Sequence, residues 1–327
     1  MKLIKPEELK QYFKERDYVC QSPYDICNKK DTVFISAGIQ PLLREYRNGG
    51  LRDKSKIYIS QPVLRSQFVD SIAEGFSIAF VNSTTASFNN SEREHDNLVS
   101  DWLELFYELG IEKKQISSTE RDYERQWGDL LVKGKTKFYY YNDVELGDTT
   151  FFTSITKDGK KIELDSMSDV GFGLERIRWV ANKKPFYELY SNSDNLTAES
   201  KALLSALALL ATNNVNPSNK NSGYRARLFS KKLVSNMGGK NLSSAELEYL
   251  NECIEYWKDW QETENRGDTA ILLNEYSRNC NRFISDFLKT SGYNNVSGVD
   301  INLPRQEFKN RLLNSGVKES DIEDFYM

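Results

Sequence analysis

Histidine occurs once in this chain, cysteine and methionine four times each, and proline seven times in 327 residues. A single histidine argues against a triad built on that residue, and a zinc site built on several histidines is excluded. His95 lies in Ser91-Glu92-Arg93-Glu94-His95-Asp96-Asn97-Leu98, the polar start of an amphipathic helix that runs to about Leu109, and an exposed structural role is expected for it. Cys20, Cys27, Cys253 and Cys280 show no zinc-ligand spacing and are too few for a disulfide scaffold, so free buried thiols are expected and zinc is not. No run is apolar enough to span a bilayer, and Met1-Lys2-Leu3-Ile4-Lys5-Pro6 carries no apolar signal region. A cytoplasmic chain without a membrane partner is the expectation.

What is present suits two domains: 39% of the residues are hydrophobic and 28% charged, enough for one large core and a smaller appended unit. Acidic residues outnumber basic ones, 48 to 44, which disfavours a nucleic-acid partner by total charge. The distribution differs from the total. Between Glu199 and Glu246 there is no acidic residue, while Lys201, Lys220, Arg225, Arg227, Lys231, Lys232 and Lys240 fall in that window. Such a run either meets phosphates or is a solvated basic helix face, and composition leaves both open.

Periodicity predicts a helix over 5–17 with Pro6 at an early position, a strand over Thr32–Ile39, a turn at Arg47-Asn48-Gly49-Gly50, and strands at 56–65 and 76–88. A helix over Leu98–Leu109 ends at Gly110. Strand-like runs follow at 137–141 and 144–155, then a strand around Asp169. After Pro185 the pattern turns helical: an almost wholly apolar helix at 203–210, then helices near 223–235, 243–262, 266–290 and 305–315.

Ser168-Asp169-Val170-Gly171-Phe172-Gly173-Leu174-Glu175-Arg176-Ile177 is the most informative stretch. Two glycines let a backbone approach a planar ligand, and an arginine follows within a turn. The segment reads either as a nucleotide site or as a tight strand-to-helix connection. Upstream, two strand-like runs joined by a short polar loop carry Arg65 at the end of the first. Such a residue set offers positioning and positive charge rather than a nucleophile or a histidine base.

This strand–loop–strand with one arginine, followed by a Gly-rich strand–helix with another, resembles motifs 2 and 3 of the class II aminoacyl-tRNA synthetases. Four segments narrow the resemblance to the alanyl-tRNA synthetase family. Asp31 to Gln40 is similar to "DPTLLFTNAGMNQF", Ser60 to Arg65 to "SQRCVR", Ser168 to Ile177 to "VDTGMGLERI", and Pro217 to Arg227 to "PSNENRGYVLRR". The resemblance implies an α+β fold: a mostly antiparallel sheet flanked by helices over residues 1–190, then an all-helical tRNA-recognition domain over 191–327. It implies ATP and magnesium as cofactors, and an amino acid, ATP and a tRNA acceptor stem as partners.

Residue by residue, the resemblance implies that Arg65 meets the ATP α-phosphate and the substrate carboxylate, and that Arg176 holds the far end of ATP. Gly171 and Gly173 leave room for the base, and Asp169 takes the α-ammonium. For Arg65 a surface ion pair is the alternative. Phe80 either stacks on adenine or is core. Glu145, in Val144-Glu145-Leu146-Gly147-Asp148, is either a magnesium ligand bridging phosphates or a solvent-facing strand residue. Asn219, Asn221, Arg225, Arg227, Lys231 and Lys232 would face RNA.

The chain also departs from the family. Gly147-Asp148 replaces a Trp-Asn pair at the amino-acid pocket, so Asp148 adds a charge and favours a polar or cationic side group. Phe80-Val81-Asn82-Ser83 lacks a glutamate, and an aspartate expected near Asn295-Val296-Ser297-Gly298 is missing. The leading expectation is an amino-acid-adenylating ligase that charges tRNA without an editing domain. A stand-alone paralogue with a non-tRNA acceptor is the first alternative, and a non-catalytic binding or regulatory protein the second.

Overall fold

The structure, a computed structural model, describes residues 4–27, 33–71, 77–161, 164–183, 196–264, 267–323 and 325. In chain order these form α1 (Pro6–Lys14), β1 (Val19–Gln21), α2 (Ile39–Arg47), β2 (Ile57–Leu64), β3 (Ala79–Phe88), α3 (Glu92–Glu108), β4 (Ile116–Trp127), β5 (Leu130–Tyr141), β6 (Val144–Lys157), β7 (Lys160–Lys161), β8 (Met167–Gly173) and α4 (Leu174–Asn182). Helices α5 (Ala198–Thr212), α6 (Asn221–Asn236), α7 (Ser244–Gln261), α8 (Thr269–Thr290), α9 (Arg305–Asn314) and α10 (Glu319–Glu323) follow. The fold is α+β. Two compact units divide these residues: one lies within Met1–Arg65, Ala79–Tyr190 and Asp259–Thr263, the other within Ser66–Ile78, Ser191–Lys258 and Glu264–Met327. The domain boundary expected at 190/191 lies outside the described residues.

The first unit is built on one mixed sheet of strand order β1-β2-β3-β8-β6-β5-β4, with β7 paired to β6. Among the described strands only β1 and β2 run parallel. Alternation along the strands gives the sheet two different faces. On one, Phe13 of α1 stacks on Tyr58 at 4.2 Å, and Trp102 of α3 contacts Phe13, Phe106 and Phe172. Trp102 is fully buried, and its Nε1 donates to Thr85 Oγ1 at 3.0 Å. On the other face, Ile57, Ile59, Ala86, Phe88, Val132, Phe152 and Met167 meet Ile39, Leu42 and Leu43 of α2. That core fills one end of the face and leaves the other end polar.

Helix α3 starts where the sequence places a start. Ser91 Oγ accepts from the Glu94 N–H, and the Glu94 carboxylate accepts from the Ser91 N–H at 2.6 Å. This reciprocal cap satisfies two orphan donors. Ser91→Ala is therefore expected to cost about 1 kcal/mol of stability, read as a lowered urea midpoint.

Several expectations are corrected. Thr32–Ile39 is no strand: Thr32 lies outside the described residues, Phe34 makes an isolated bridge with Cys27, and Ile39 already opens α2. His95 is buried rather than exposed, with Nδ1 3.0 Å from Ser168 Oγ, and burial pushes its pKa down to about 4. Cys253 and Cys280 are buried, but Cys20 and Cys27 are only half-buried. The helix expected over 5–17 stops at Lys14, and Asp17 turns to φ 64°. The helix expected from 266 begins at Thr269, capped by Asp268.

In the second unit α5 is apolar on nearly all sides and correspondingly buried, as its sequence predicts. Even Lys201, counted above among the basic residues, is buried there. Trp257 Nε1 donates to the Ser205 carbonyl at 2.8 Å. Gly267 has φ +66°, and a Cβ there would fall 2.0 Å from the Ala211 carbonyl oxygen, so only glycine fits.

Candidate active site

The polar end of the sheet face that packs on α2 collects the sequence-predicted residues of the first unit. In register, Asn82, Thr84 and Ala86 of β3 oppose Gly173, Gly171 and Asp169 of β8, and Gly171 and Asp169 oppose Asp148 and Thr150 of β6. Side chains at these positions share one face, and Phe80 continues the β3 row. The two carboxylates are thus diagonal neighbours on adjacent strands. Asp148 and Asp169 are each only partly open to solvent.

Arg65 leaves the end of β2 and turns toward this cluster. Its Nε donates to the Ser36 carbonyl at 3.0 Å, and its guanidinium lies 4.8 Å from the centre of the Phe80 ring. Phe80 is therefore engaged with Arg65. Burial lowers the Arg65 pKa, and Asp148 is the strongest influence raising it again. Asn82, overlooked in the sequence except as a departure, is fixed by the same loop: its Oδ1 accepts from the Gly38 N–H at 2.7 Å and from Thr84 Oγ1 at 3.1 Å. A Cβ at Gly38 would lie 2.5 Å from Thr84 Oγ1. The segment Ser36-Ala37-Gly38 thus positions Arg65 and Asn82 through its backbone.

Burial raises the Asp169 pKa well above the usual carboxylate range, Asp148 adds to the rise, and Arg65 opposes it. Burial also raises the Asp148 pKa, opposed first by Arg65, while Glu145 adds to it and Arg121 and Arg125 lower it. Two desolvated carboxylates side by side favour a bound cation or proton.

Arg176, in the first turns of α4, donates from Nη1 to the Glu145 carboxylate at 2.7 Å and to the Glu145 carbonyl at 3.0 Å. Glu145 is therefore neither a free strand residue nor an unengaged ligand; its Oε1 belongs to an ion pair. Among the described residues no three His, Cys, Asp or Glu side chains form a metal-holding group. Magnesium needs few protein carboxylates when phosphates supply the rest, so Glu145 would fit as one ligand and no more.

At Gly171 a Cβ would crowd the site side, 3.1 Å from Asn82 Nδ2 and 3.4 Å from Thr84 Oγ1; at Gly173 a Cβ would meet nothing nearer than Arg176 Cδ at 3.6 Å. Gly147 differs. It opposes Phe172, and a Cβ there would lie 2.3 Å from the Gly171 carbonyl oxygen. Sheet packing holds that position, and Gly147 stands on the opposite face from Asp148.

Glu175 was quoted within its motif but given no role. It is 2% exposed, and its carboxylate accepts from the Val81 N–H at 3.0 and 3.1 Å. Val81 opposes Pro62 on one side and lies beyond the last β3–β8 pair on the other, so Glu175 stands where the sheet offers that N–H no strand partner.

The basic residues lie in the second unit and are unequal. Arg227 is ion-paired to Glu275 at 3.2 Å and donates to Asn219 Oδ1, and Lys232 is ion-paired to Asp70. Lys231, Lys220 and Asn221 are exposed, Arg225 is half-buried, and Asn221 has φ 50°. Tyr224 is exposed, with Arg225 5.9 Å from its ring centre.

No family model matches the chain. Alanine–tRNA ligase of Sulfurisphaera tokodaii is 25% identical to it over 166 residues, 49% of this chain and 17% of that protein. The chain thus spans about a sixth of the length of the curated relative it matches. The likeness supports at most a distant aminoacyl-tRNA synthetase-like relationship. No helix among the described residues is long and apolar enough to cross a membrane.

Proposed function

We propose that the first unit forms an aminoacyl-adenylate from ATP and an amino acid with a free α-amine, and that the chain passes the acyl group to a tRNA 3′ end. The observation that carries this reading is the convergence of Arg65, Asp148, Asp169, Glu145 and Arg176 around Gly171 on one sheet face. The antiparallel β2–β3 pair beside the β8–α4 turn supports a class II synthetase arrangement.

In this reaction the substrate carboxylate oxygen attacks the α-phosphorus of ATP, and pyrophosphate leaves with the electron pair of the broken P–O bond. Arg65 is placed to balance charge on the carboxylate and the pentavalent phosphorus, a fixed planar cation in a partly desolvated site. Asp169 holds the ammonium. Arg176 takes the distal phosphates, and Glu145 would hold a magnesium ion, which would supply further positive charge to the leaving group. Amino-acid-dependent ATP–pyrophosphate exchange over a broad amino-acid panel tests the reading: label moving into ATP with one amino acid supports it, and no exchange with any returns the chain to a binding or regulatory role.

Whether tRNA is the acceptor rests on α6. Two of its expected phosphate contacts, Arg227 and Lys232, are committed to carboxylates of their own unit, which favours a non-tRNA acceptor as the second reading. Replacing Lys220, Arg225 and Lys231 together by alanine separates the two. If tRNA binds here, affinity falls and the salt dependence flattens by about 1 in the log–log slope per lost contact, with exchange unchanged. Unaltered binding of total tRNA by a folded triple variant overturns the role of α6.

A further inference from the structure

The hairpin β4–β5 carries an imbalance of charge that the adenylation chemistry does not use. On one face of the hairpin Glu120, Asp122 and Glu124 lie opposite Lys137, Lys135 and Lys133. Glu124 is ion-paired to Lys133 at 2.8 Å and Glu120 to Lys135 at 3.6 Å. On the other face Arg121 and Arg125 lie opposite Thr136 and Val132. Among the described residues neither arginine forms an ion pair. That second face is the one that bears Asp148 and Asp169.

Across the sheet, Arg121 stands in one row with Thr136, Thr150 and Asp169. The two threonines are small and bonded to each other, Thr150 Oγ1 donating to Thr136 Oγ1 at 2.8 Å. They are buried, Thr136 1% and Thr150 2% exposed, and floor a closed trough with a carboxylate at one end of the row and a guanidinium at the other, which a ligand enters only by displacing the side chains above it. On one side Phe138 opposes Asp148 and carries the Arg121 guanidinium 4.2 Å from its ring centre. On the other, Tyr123 meets Phe152 edge to face and is fixed by Trp127, whose Nε1 donates to its hydroxyl at 3.0 Å. Arg125 lies 5.7 Å from the Tyr123 ring centre.

We propose, resting on the adenylation reading, that this trough takes the side chain of the amino acid, and that Arg121 and Arg125 select a side chain ending in an anion. Three strand spacings, about 14 Å, separate the backbones of Asp169 and Arg121. An aspartate and an extended arginine close most of that gap and leave roughly the length of a two- or three-carbon chain. With the ammonium at the Asp169 end, a side-chain carboxylate or phosphate reaches the guanidinium. Asp148, a diagonal neighbour of Asp169, then shares the ammonium. The polar or cationic side group that its charge suggested in the sequence gives way to an anionic one, because the far end of the row is cationic. Arginine forks match carboxylate and phosphate geometry, and an anion there relieves two like charges facing one trough.

The test is exchange and calorimetric binding on the full chain with aspartate, glutamate and phosphoserine against asparagine, glutamine, alanine, lysine and ornithine. An anionic amino acid is expected to be the best substrate, and comparing phosphoserine with aspartate and glutamate distinguishes phosphate from carboxylate. Replacing Arg121 and Arg125 by alanine is expected to raise KM for that amino acid by about tenfold or more with kcat within about twofold, and the double lysine variant should recover part of it. Best exchange with a neutral or cationic amino acid keeps adenylation and overturns this proposal. So does an equal loss for every amino acid in the alanine variant, which would mean the arginines act only on Asp148. If no amino acid supports exchange, binding of the anionic ones that disappears in the alanine variant upholds the trough while adenylation fails; no binding of any anionic amino acid overturns the proposal.

Discussion

Replacing Arg65 by alanine is expected to lower ATP–pyrophosphate exchange about a hundredfold, equivalent to about 3 kcal/mol of lost charge stabilisation in a preorganised site. Arg176→Ala is expected to do the same, through a different substrate atom. Arg65 is held by the Ser36 carbonyl and Phe80, so its guanidinium is in place before substrate arrives. Arg176 is held by Glu145, and losing it frees that carboxylate, which adds uncompensated negative charge beside the phosphates. Both side chains are only partly buried, and neither belongs to the apolar cluster of the sheet, so the thermal midpoint should move little. A folded Arg65→Ala protein exchanging near the wild-type rate removes Arg65 from the reaction, and the same outcome for Arg176 removes the distal phosphate contact.

Much of this arrangement is legible in the sequence for physical reasons. The β8–α4 junction announces itself because two glycines and a following Glu-Arg have few other uses, and α5 because ten of its fifteen residues are alanine or leucine. The strand at 116–127 is silent. As the edge strand β4 it is exposed along most of its length, and Ile116-Ser117-Ser118-Thr119-Glu120-Arg121-Asp122 offers no apolar alternation to detect. Arg121 and Arg125 went unnoticed with it, since their meaning depends on which acids the partner strand neutralises. Helix α2 was hidden for the opposite reason: Ile39, Leu42 and Leu43 continue the apolar run of Val33-Phe34-Ile35, so a short strand was read through a helix start. His95 looked exposed from its charged neighbours, although the same helical spacing, 95, 98, 99, 102, puts it on the buried stripe. Pairings such as Lys232 with Asp70 and Arg227 with Glu275 join residues 162 and 48 positions apart, and no local pattern reveals them.

Asp169→Asn is expected to abolish most activity while making the first unit more stable. The neutral amide gives the substrate ammonium no anion, a loss of about 1.5–3 kcal/mol, or one to two orders of magnitude in kcat/KM. Stability moves the other way. In the folded chain burial and the neighbouring Asp148 raise the Asp169 pKa, with Arg65 offsetting part of the rise. Between the ordinary aspartate pKa and the raised one, the folded state binds more protons at this site than the unfolded state does. Its contribution to stability therefore falls as pH rises through that window and stays lost above it. Asparagine removes this term, so the variant should be more stable than wild type near neutral pH, read as a raised Tm. The gain should shrink as pH is lowered through the ordinary aspartate pKa and vanish below it, where the wild-type carboxyl is protonated in both states. Amino acid binding to the wild-type protein should release protons at mildly acidic pH, measurable as buffer-dependent heat, because an ammonium at Asp169 favours the ionised form. A variant less stable than wild type at pH 7, or binding heat independent of buffer, would show that Asp169 already has its cation within the protein and is not waiting for the substrate's.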